Sequence, residues 1–135
     1  MGVAADKVRW GIAPCFLVDD VVATANFYRD QLGFRYERFW GDPPCFAMVR
    51  REGATIMLSQ SSEPGLGRPN CAADPQRGGW DAYVWIDDAD ALYEEFRQKD
   101  VTIAEPIGNQ EYGCREFTIR DCNGYSIGFG QNLEG

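Results

Sequence analysis

The chain has 135 residues, 44% of them hydrophobic, so it is long enough to bury one substantial core as a single compact domain. Its 13 basic and 21 acidic residues give a net charge of −8, which argues against a nucleic-acid partner because phosphates need a basic surface. The acidic excess would attract a cationic ligand, or it only solvates helix faces. No stretch reaches the ~20 apolar residues of a membrane span and no signal-peptide pattern is present, so we expect a cytoplasmic protein without a membrane partner.

The first half of the chain predicts one β-α-β-β-β unit, at residues 9–60. Apolar residues alternate along its first strand, and the pair Asp19-Asp20 is suited to cap the helix that follows. Gly33 stands where a left-handed residue commonly ends a helix, and Gly53 supplies the turn of a closing hairpin. The predicted elements are a strand, a helix and three strands, at 10–18, 21–32, 34–39, 45–50 and 54–60.

Residues 61–79 contain three prolines and four glycines, a composition that excludes a long regular element. A segment of this length in so short a chain is either a linker between two units or a functional lid.

The second half, at residues 80–131, predicts the same order of elements. Asp87-Asp88 follows a strand as Asp19-Asp20 does, 68 residues later, and the hairpin glycines Gly53 and Gly124 lie 71 residues apart. The chain is therefore an internal repeat of two modules. In module two we place strands at 80–86, 101–105, 115–120 and 125–130, with a helix from 89 and a loop at 106–113.

The five cysteines are odd in number and contain no C-x-x-C pair. This pattern indicates reduced thiols rather than a disulfide framework or a zinc site. The chain has no histidine to serve as the base for a nucleophilic cysteine.

Two segments carry a family resemblance. Phe27–Phe34 reads F-Y-R-D-Q-L-G-F after a V-D-D element, and Tyr112–Gly124 reads Y-G-C-R-E-F-T-I-R-D-C-N-G. Both are similar to the vicinal-oxygen-chelate superfamily of glyoxalases, bleomycin-resistance proteins and extradiol dioxygenases, and the resemblance spans Gly11–Gln131. It implies an α+β fold of two tandem β-α-β-β-β modules, whose concave mixed sheets form a shared cavity, and a homodimer.

Enzymes of that family hold a divalent metal at four positions, on the first and last strands of each module. The resemblance carries these positions to Ala13, Met57, Asp81 and Gly128. Only Asp81 has a side chain that commonly binds a catalytic ion, and one carboxylate cannot hold such an ion by itself. We therefore expect no metal and no other cofactor.

The same resemblance turns these positions toward the cavity, and strand alternation extends that face to Tyr83 and Trp85. The two rings could be core aromatics, but a carboxylate shares their face, and Gly128 and Gly130 leave room beside them, which favours a pocket. Arg115 is suited to hold a ligand carboxylate or to pair with Glu116. The candidate ligand-binding residues are Phe39, Trp40, Met57, Asp81, Tyr83, Trp85, Tyr112, Arg115 and Glu116.

These features favour a metal-free binding protein of the bleomycin-resistance type, which sequesters an aromatic, cationic small molecule and so protects against an antibiotic. The alternative is an enzyme. A glyoxalase-like lyase or isomerase would use Asp81 or Glu116 as base and Tyr83 or Tyr112 as acid. A metal-dependent enzyme of the dioxygenase family would need atypical ligands.

Overall fold

The structure, a computed structural model, describes residues 10–134, so the predicted start of module one at residue 9 lies outside the described residues. Within this range the chain forms two four-stranded mixed sheets and three helices. The elements are β1 Cys15–Val18, α1 Val21–Asp30, β2 Phe39–Trp40, β3 Phe46–Arg51, β4 Ala54–Gln60, α2 Asn70–Ala73, β5 Ala82–Trp85, α3 Ala89–Gln98, β6 Thr102–Asn109, β7 Cys114–Arg120 and β8 Ser126–Asn132. None of the helices in residues 10–134 has the length and apolar character needed to cross a membrane.

The two sheets confirm the predicted α+β fold of tandem modules. Sheet one has the order β1-β4-β3-β2 and sheet two the order β5-β8-β7-β6. In each sheet the first strand of the module pairs in parallel with the last, and the other pairs are antiparallel. The two-residue turn after β3 and the turn after β7 place Gly53 and Gly124 at φ +90° and +87°, a left-handed conformation that glycine adopts without strain.

Matching side chains begin the helix of each module. Asp20 accepts a hydrogen bond from the Ala23 N–H at 3.0 Å, and Asp88 accepts one from the Ala91 N–H at 3.1 Å, so both predicted N-caps are confirmed. A glutamine on the last strand then binds the first turn. The side-chain oxygen of Gln60 accepts from Val21 N at 2.8 Å, and that of Gln131 accepts from Ala89 N at 3.0 Å.

The predicted elements differ most from the structure at three places. β1 begins at Cys15 rather than residue 10, because only the residues beside β4 find a strand partner, and Trp10 and Ile12 are more than 95% exposed. The predicted strand at 34–39 is reduced to one isolated bridge at Arg35 and the short β2. The predicted loop at 106–113 is wrong in its first half, since β6 continues to Asn109 as an edge strand whose register shifts accommodate Pro106.

The helix-covered faces of the two sheets share one hydrophobic core. Phe16, Tyr28 and Leu58 of module one are buried in the same cluster as Phe96 and Phe129 of module two. The opposite face of each sheet, which we call its open face, carries the alternate residues of the strands. The open faces remain accessible to solvent in the single chain, because Cys15 and Trp85 are exposed there.

Candidate functional site

Two glycines of β8 shape the open face of sheet two. A Cβ atom at Gly128 would lie 2.6 Å from Trp80 Nε1 and 2.8 Å from Tyr83 Cδ2, and one at Gly130 would overlap the Tyr83 hydroxyl. The glycines therefore do leave room, as the sequence predicts, but the chain's own aromatic rings fill it. A row of aromatic side chains packs over Gly128 and Gly130, so these glycines do not leave an empty pocket.

That row consists of Trp80, Tyr83 and Trp85. The Tyr83 ring lies 4.7 Å from the Trp80 ring and 5.0 Å from the Trp85 ring, at interplanar angles of 68° and 63°. These edge-to-face contacts are a favourable arrangement for aromatic pairs. The Trp80 indole N–H donates to Thr118 Oγ1 at 3.0 Å, while 40% of Trp80 and 64% of Trp85 remain exposed. The ring contacts and the Trp80–Thr118 hydrogen bond thus hold the row in place while part of its aromatic surface stays exposed to solvent.

Glu116 lies beside the row and is only 7% exposed. Its Oε1 accepts a hydrogen bond from the Tyr83 hydroxyl at 2.8 Å, and its Oε2 accepts one from the Tyr112 hydroxyl at 2.6 Å. Burying a carboxylate is costly unless both oxygens find donors, and here each finds one. We call Trp80, Tyr83, Trp85, Tyr112 and Glu116 the aromatic–acid cluster.

The carboxylate and the two phenols affect one another's protonation. Burial, followed by the hydrogen bond to Glu116, raises the pKa of Tyr83 well above its ordinary value. The same two causes, in the same order, raise the pKa of Tyr112 to about 12. Both phenols are therefore protonated at neutral pH and act as hydrogen-bond donors to the acid.

Asp81, directly before β5, has a structural role in the fold. Its Oδ1 accepts from the Asn70 N–H and its Oδ2 from the Ser126 N–H, both at 2.8 Å. The side chain therefore ties the 61–79 segment to sheet two. The other end of that segment is tied to module one, because Asp19 accepts from the Gly65 N–H at 2.8 Å.

The remaining predicted site residues lie elsewhere. Trp40 and Met57 are on the open face of sheet one, where the Arg38 guanidinium lies 4.4 Å above the Trp40 ring. Phe39 turns to the other face and packs on the core with Tyr36.

Arg115 also lies on the helix side of its sheet. It makes two hydrogen bonds to Asp90, at 2.9 and 3.0 Å, instead of pairing with Glu116. The structure thus brings together four of the predicted residues, Tyr83, Trp85, Tyr112 and Glu116. It adds Trp80, whose position directly before β5 was the signal available in the sequence.

A second feature lies along β5. The two modules share a cavity of about 970 Å³, which we call the inter-module cavity. Of the residues predicted to face a shared cavity, Ala13, Tyr83 and Trp85 line it, whereas Met57, Asp81 and Gly128 do not.

The four positions that the resemblance gives for metal ligands hold no ligand set. Met57 lies opposite Cys15 in the β1–β4 pair, and Gly128 lies opposite Tyr83 in the β5–β8 pair. Within residues 10–134 no three His, Cys, Asp or Glu side chains form a group that could hold a metal ion.

Comparisons with known proteins agree with this geometry. The family model for the Glyoxalase/Bleomycin resistance protein/Dioxygenase superfamily matches residues 11–129. No curated protein matches the chain.

Solved structures share the whole fold. The bleomycin-binding protein from bleomycin-producing Streptomyces verticillus, complexed with copper(II)-bleomycin, is 27% identical, with a TM-score of 0.65 over 89% of this chain and 93% of that one. TioX from Micromonospora sp. ML1 is 19% identical, with a TM-score of 0.71 over 92% and 99%. Lactoylglutathione lyase from Agrobacterium tumefaciens is 17% identical, with a TM-score of 0.67 over 94% and 97%.

Proposed function

The chain belongs to the glyoxalase/bleomycin resistance protein/dioxygenase superfamily, and we propose that within it the protein binds an aromatic, cationic small molecule without a metal. One observation carries this proposal. A nearly buried carboxylate, Glu116, is held by two phenols directly beside exposed indole surface. A protein that needed only a stable sheet would have no use for a charge in that position.

The cluster offers two attractions to one ligand. Flat rings can stack on Trp80 and Trp85, and a cation near the ring faces gains ~0.5–2 kcal/mol from each. The Glu116 carboxylate attracts the same cation. The hydroxyls of Tyr83 and Tyr112 fix the orientation of this carboxylate by donating a hydrogen bond to each of its oxygens. Because the rings rest on one another, little side-chain freedom is lost when the ligand binds.

The same geometry favours binding over acid–base chemistry. Each Glu116 oxygen already accepts a hydrogen bond from a tyrosine hydroxyl, so a substrate proton would have to reach the remaining lone pairs of a side chain that is only 7% exposed. Tyr112, with a pKa raised to about 12, is poorly matched to donate a proton at neutral pH. We therefore place the glyoxalase-like reaction second.

The relationship to the bleomycin-binding protein of Streptomyces verticillus supports the antibiotic-binding form of the proposal. We propose that this chain likewise sequesters an antibiotic-like molecule, with bleomycin as the first compound to test.

We also propose a homodimer. Both sheets end in strands with a free edge, β1 and β2 in sheet one and β5 and β6 in sheet two, and large apolar side chains such as Ile12 and Trp85 are exposed. A second copy of the chain would cover part of this surface. Sedimentation equilibrium at tens of micromolar tests the assembly, and a single species of 15.2 kDa would contradict it.

The central experiment is a fluorescence titration with two probes, berberine as a flat aromatic cation and bleomycin with and without copper(II). We expect binding of at least one probe, loss of affinity in Glu116→Gln, and unchanged affinity in Glu94→Gln. Glu94 is the matched control because it lies on α3 beside Arg97, away from the cluster. Mass spectrometry should recover the probe unaltered, and steady conversion of it would refute the binding function.

A further inference from the structure

The position that corresponds to the inter-module cavity in the other half of the repeat is filled by a tyrosine. Tyr125, at the start of β8, stacks on Phe16 of β1 with ring centroids 4.3 Å apart and planes 12° apart. Its hydroxyl donates a hydrogen bond to the Leu17 carbonyl at 2.6 Å. The ring is 5% exposed, so it closes the space between the β7–β8 hairpin of module two and the first strand of module one.

The repeat identifies the corresponding positions on the opposite side. The register of β4 and β8 places Ala54 where module two has Tyr125, and the register of β1 and β5 places Val84 and Trp85 where module one has Phe16 and Leu17. Ala54 has no ring to place against Val84. All three counterpart residues, Ala54, Val84 and Trp85, line the inter-module cavity, so the cavity is the space that a tyrosine fills in the other half.

A hydrogen-bond acceptor is also present. Ile86 donates its N–H to the Gly130 carbonyl on β8, so the neighbouring backbone groups of Trp85 point the other way, to the free edge of β5. This is the direction in which the Leu17 carbonyl meets the Tyr125 hydroxyl. The Trp85 carbonyl is thus placed to accept from a ligand hydroxyl.

The mouth of the cavity is acidic. Among residues 10–134 one guanidinium lines it, that of Arg51, which is already bound to Glu95 at 2.7 and 3.0 Å and to the Leu32 carbonyl. The other charged lining residues are Glu52, Asp87 and Asp88, and none of them forms a salt bridge within the part of the chain that the structure describes. This charge favours a cationic ligand over an anionic one.

We propose that the inter-module cavity is a second binding site, which takes a hydroxyaromatic amine. Its ring lies against Val84 as Tyr125 lies against Phe16, its hydroxyl donates to the Trp85 carbonyl, and its ammonium lies near Glu52, Asp87 and Asp88. A volume of about 970 Å³ suits a molecule larger than one phenol, so the phenol is the recognised part of it. The site does not depend on the function proposed for the aromatic–acid cluster.

Three small probes separate the parts of this recognition. Tyramine carries both the phenol and the ammonium, phenethylamine lacks the hydroxyl, and 3-(4-hydroxyphenyl)propionate replaces the ammonium with a carboxylate. We expect tyramine to bind roughly three- to tenfold more tightly than phenethylamine, the effect of one hydrogen bond, and the propionate to bind most weakly. The titration is followed by amide chemical shifts, which should move at Ala54, Val84 and Leu92. Equal affinity for the three probes, or no binding of tyramine at millimolar concentration, would overturn the proposal.

Substitutions at Ala54 test the location. Ala54→Tyr should fill the cavity as Tyr125 fills its counterpart and should weaken tyramine binding at least tenfold, while Gly108→Ala, on β6 with open space around the new methyl group, should leave it unchanged. Ala54→Phe gives the same loss and serves if the tyrosine variant does not fold. Glu94→Gln, which removes the same charge from the exposed side of α3, should keep tyramine binding. Undiminished binding in both aromatic variants, or shifts confined to residues around Glu116, would show that tyramine binds elsewhere.

Discussion

The substitution Glu116→Gln isolates the charge of the aromatic–acid cluster, because glutamine has nearly the same shape as the glutamate it replaces. One amide oxygen can still accept from a tyrosine hydroxyl, and the other hydroxyl can rotate to accept from the amide N–H. Two hydrogen bonds to a charged group, worth ~1.5–3 kcal/mol each, become neutral ones worth ~1 kcal/mol, but a costly buried charge is removed as well. We therefore expect the free energy of unfolding to change by no more than about 1 kcal/mol.

Binding of a cation should change much more. A ligand cation beside Glu116 loses an interaction of ~1.5–3 kcal/mol, which corresponds to roughly ten- to a hundredfold weaker binding. Fluorescence titration with berberine measures this directly, with Glu94→Gln as the control for the same change in net charge. Equal berberine affinity in the parent and in Glu116→Gln would refute the assignment of Glu116 as the countercharge.

The two tyrosines provide an independent measurement of the same charge. In Glu116→Gln the pKa of Tyr112 should fall from about 12 toward its ordinary value, because the hydrogen bond to a charged acceptor is removed. A phenol with a raised pKa stabilises the fold fully below the unfolded value of ~10, and that stability is lost as pH rises through about 12. Absorbance at 295 nm, compared with Tyr112→Phe, follows this titration. An unshifted curve in Glu116→Gln would contradict the coupling.

Three further predictions concern the fold. Tyr125→Phe should lower the free energy of unfolding by about 1 kcal/mol and Tyr125→Ala by about 3–5 kcal/mol in urea denaturation, and equal losses would contradict the role of the buried ring. Gly130→Ala should cost about 1–3 kcal/mol by displacing Tyr83, whereas Gly108→Ala, with open space around the new methyl group, should cost less than about 1 kcal/mol. The hydrogen bonds from Arg51 lower the pKa of Glu95, so their stabilisation is present above the unfolded pKa of ~4.3 and is lost as pH falls through the lower folded value. Acid titration of Glu95→Gln should therefore show a flatter loss of stability than the parent.

The module repeat could be read from the sequence because its signals are local. A helix cap needs only a short polar residue a few positions before the N–H groups that it binds, and both Asp-Asp pairs meet that condition. A hairpin turn likewise needs a residue with positive φ between two strands, and Gly53 and Gly124 supply it. These features fix the order of the elements before any long-range contact forms.

The site could be predicted only in part, because its contacts depend on strand register and on distant segments. Tyr83 and Glu116 are 33 residues apart and meet only when β5 and β7 lie on either side of β8. Asp81 looked like a free acid in the sequence, since its donors come from Asn70, in the 61–79 segment, and from Ser126. The alternation of residues within a strand carries no information about partners that are distant in the sequence.

The two modules differ at several positions around the two proposed sites. Positions that build the fold hold matching residues in both modules: Asp20 and Asp88, Gln60 and Gln131, Gly53 and Gly124. On the open face, by contrast, Leu17 corresponds to Trp85 and Met57 to Gly128, and the glycine makes room for the aromatic row. At the position where module two has Tyr125, module one has Ala54, and the inter-module cavity lies beside this smaller residue. The matched caps and turns keep the same order of elements in both modules, so these differences change the surroundings of β5 without changing the fold.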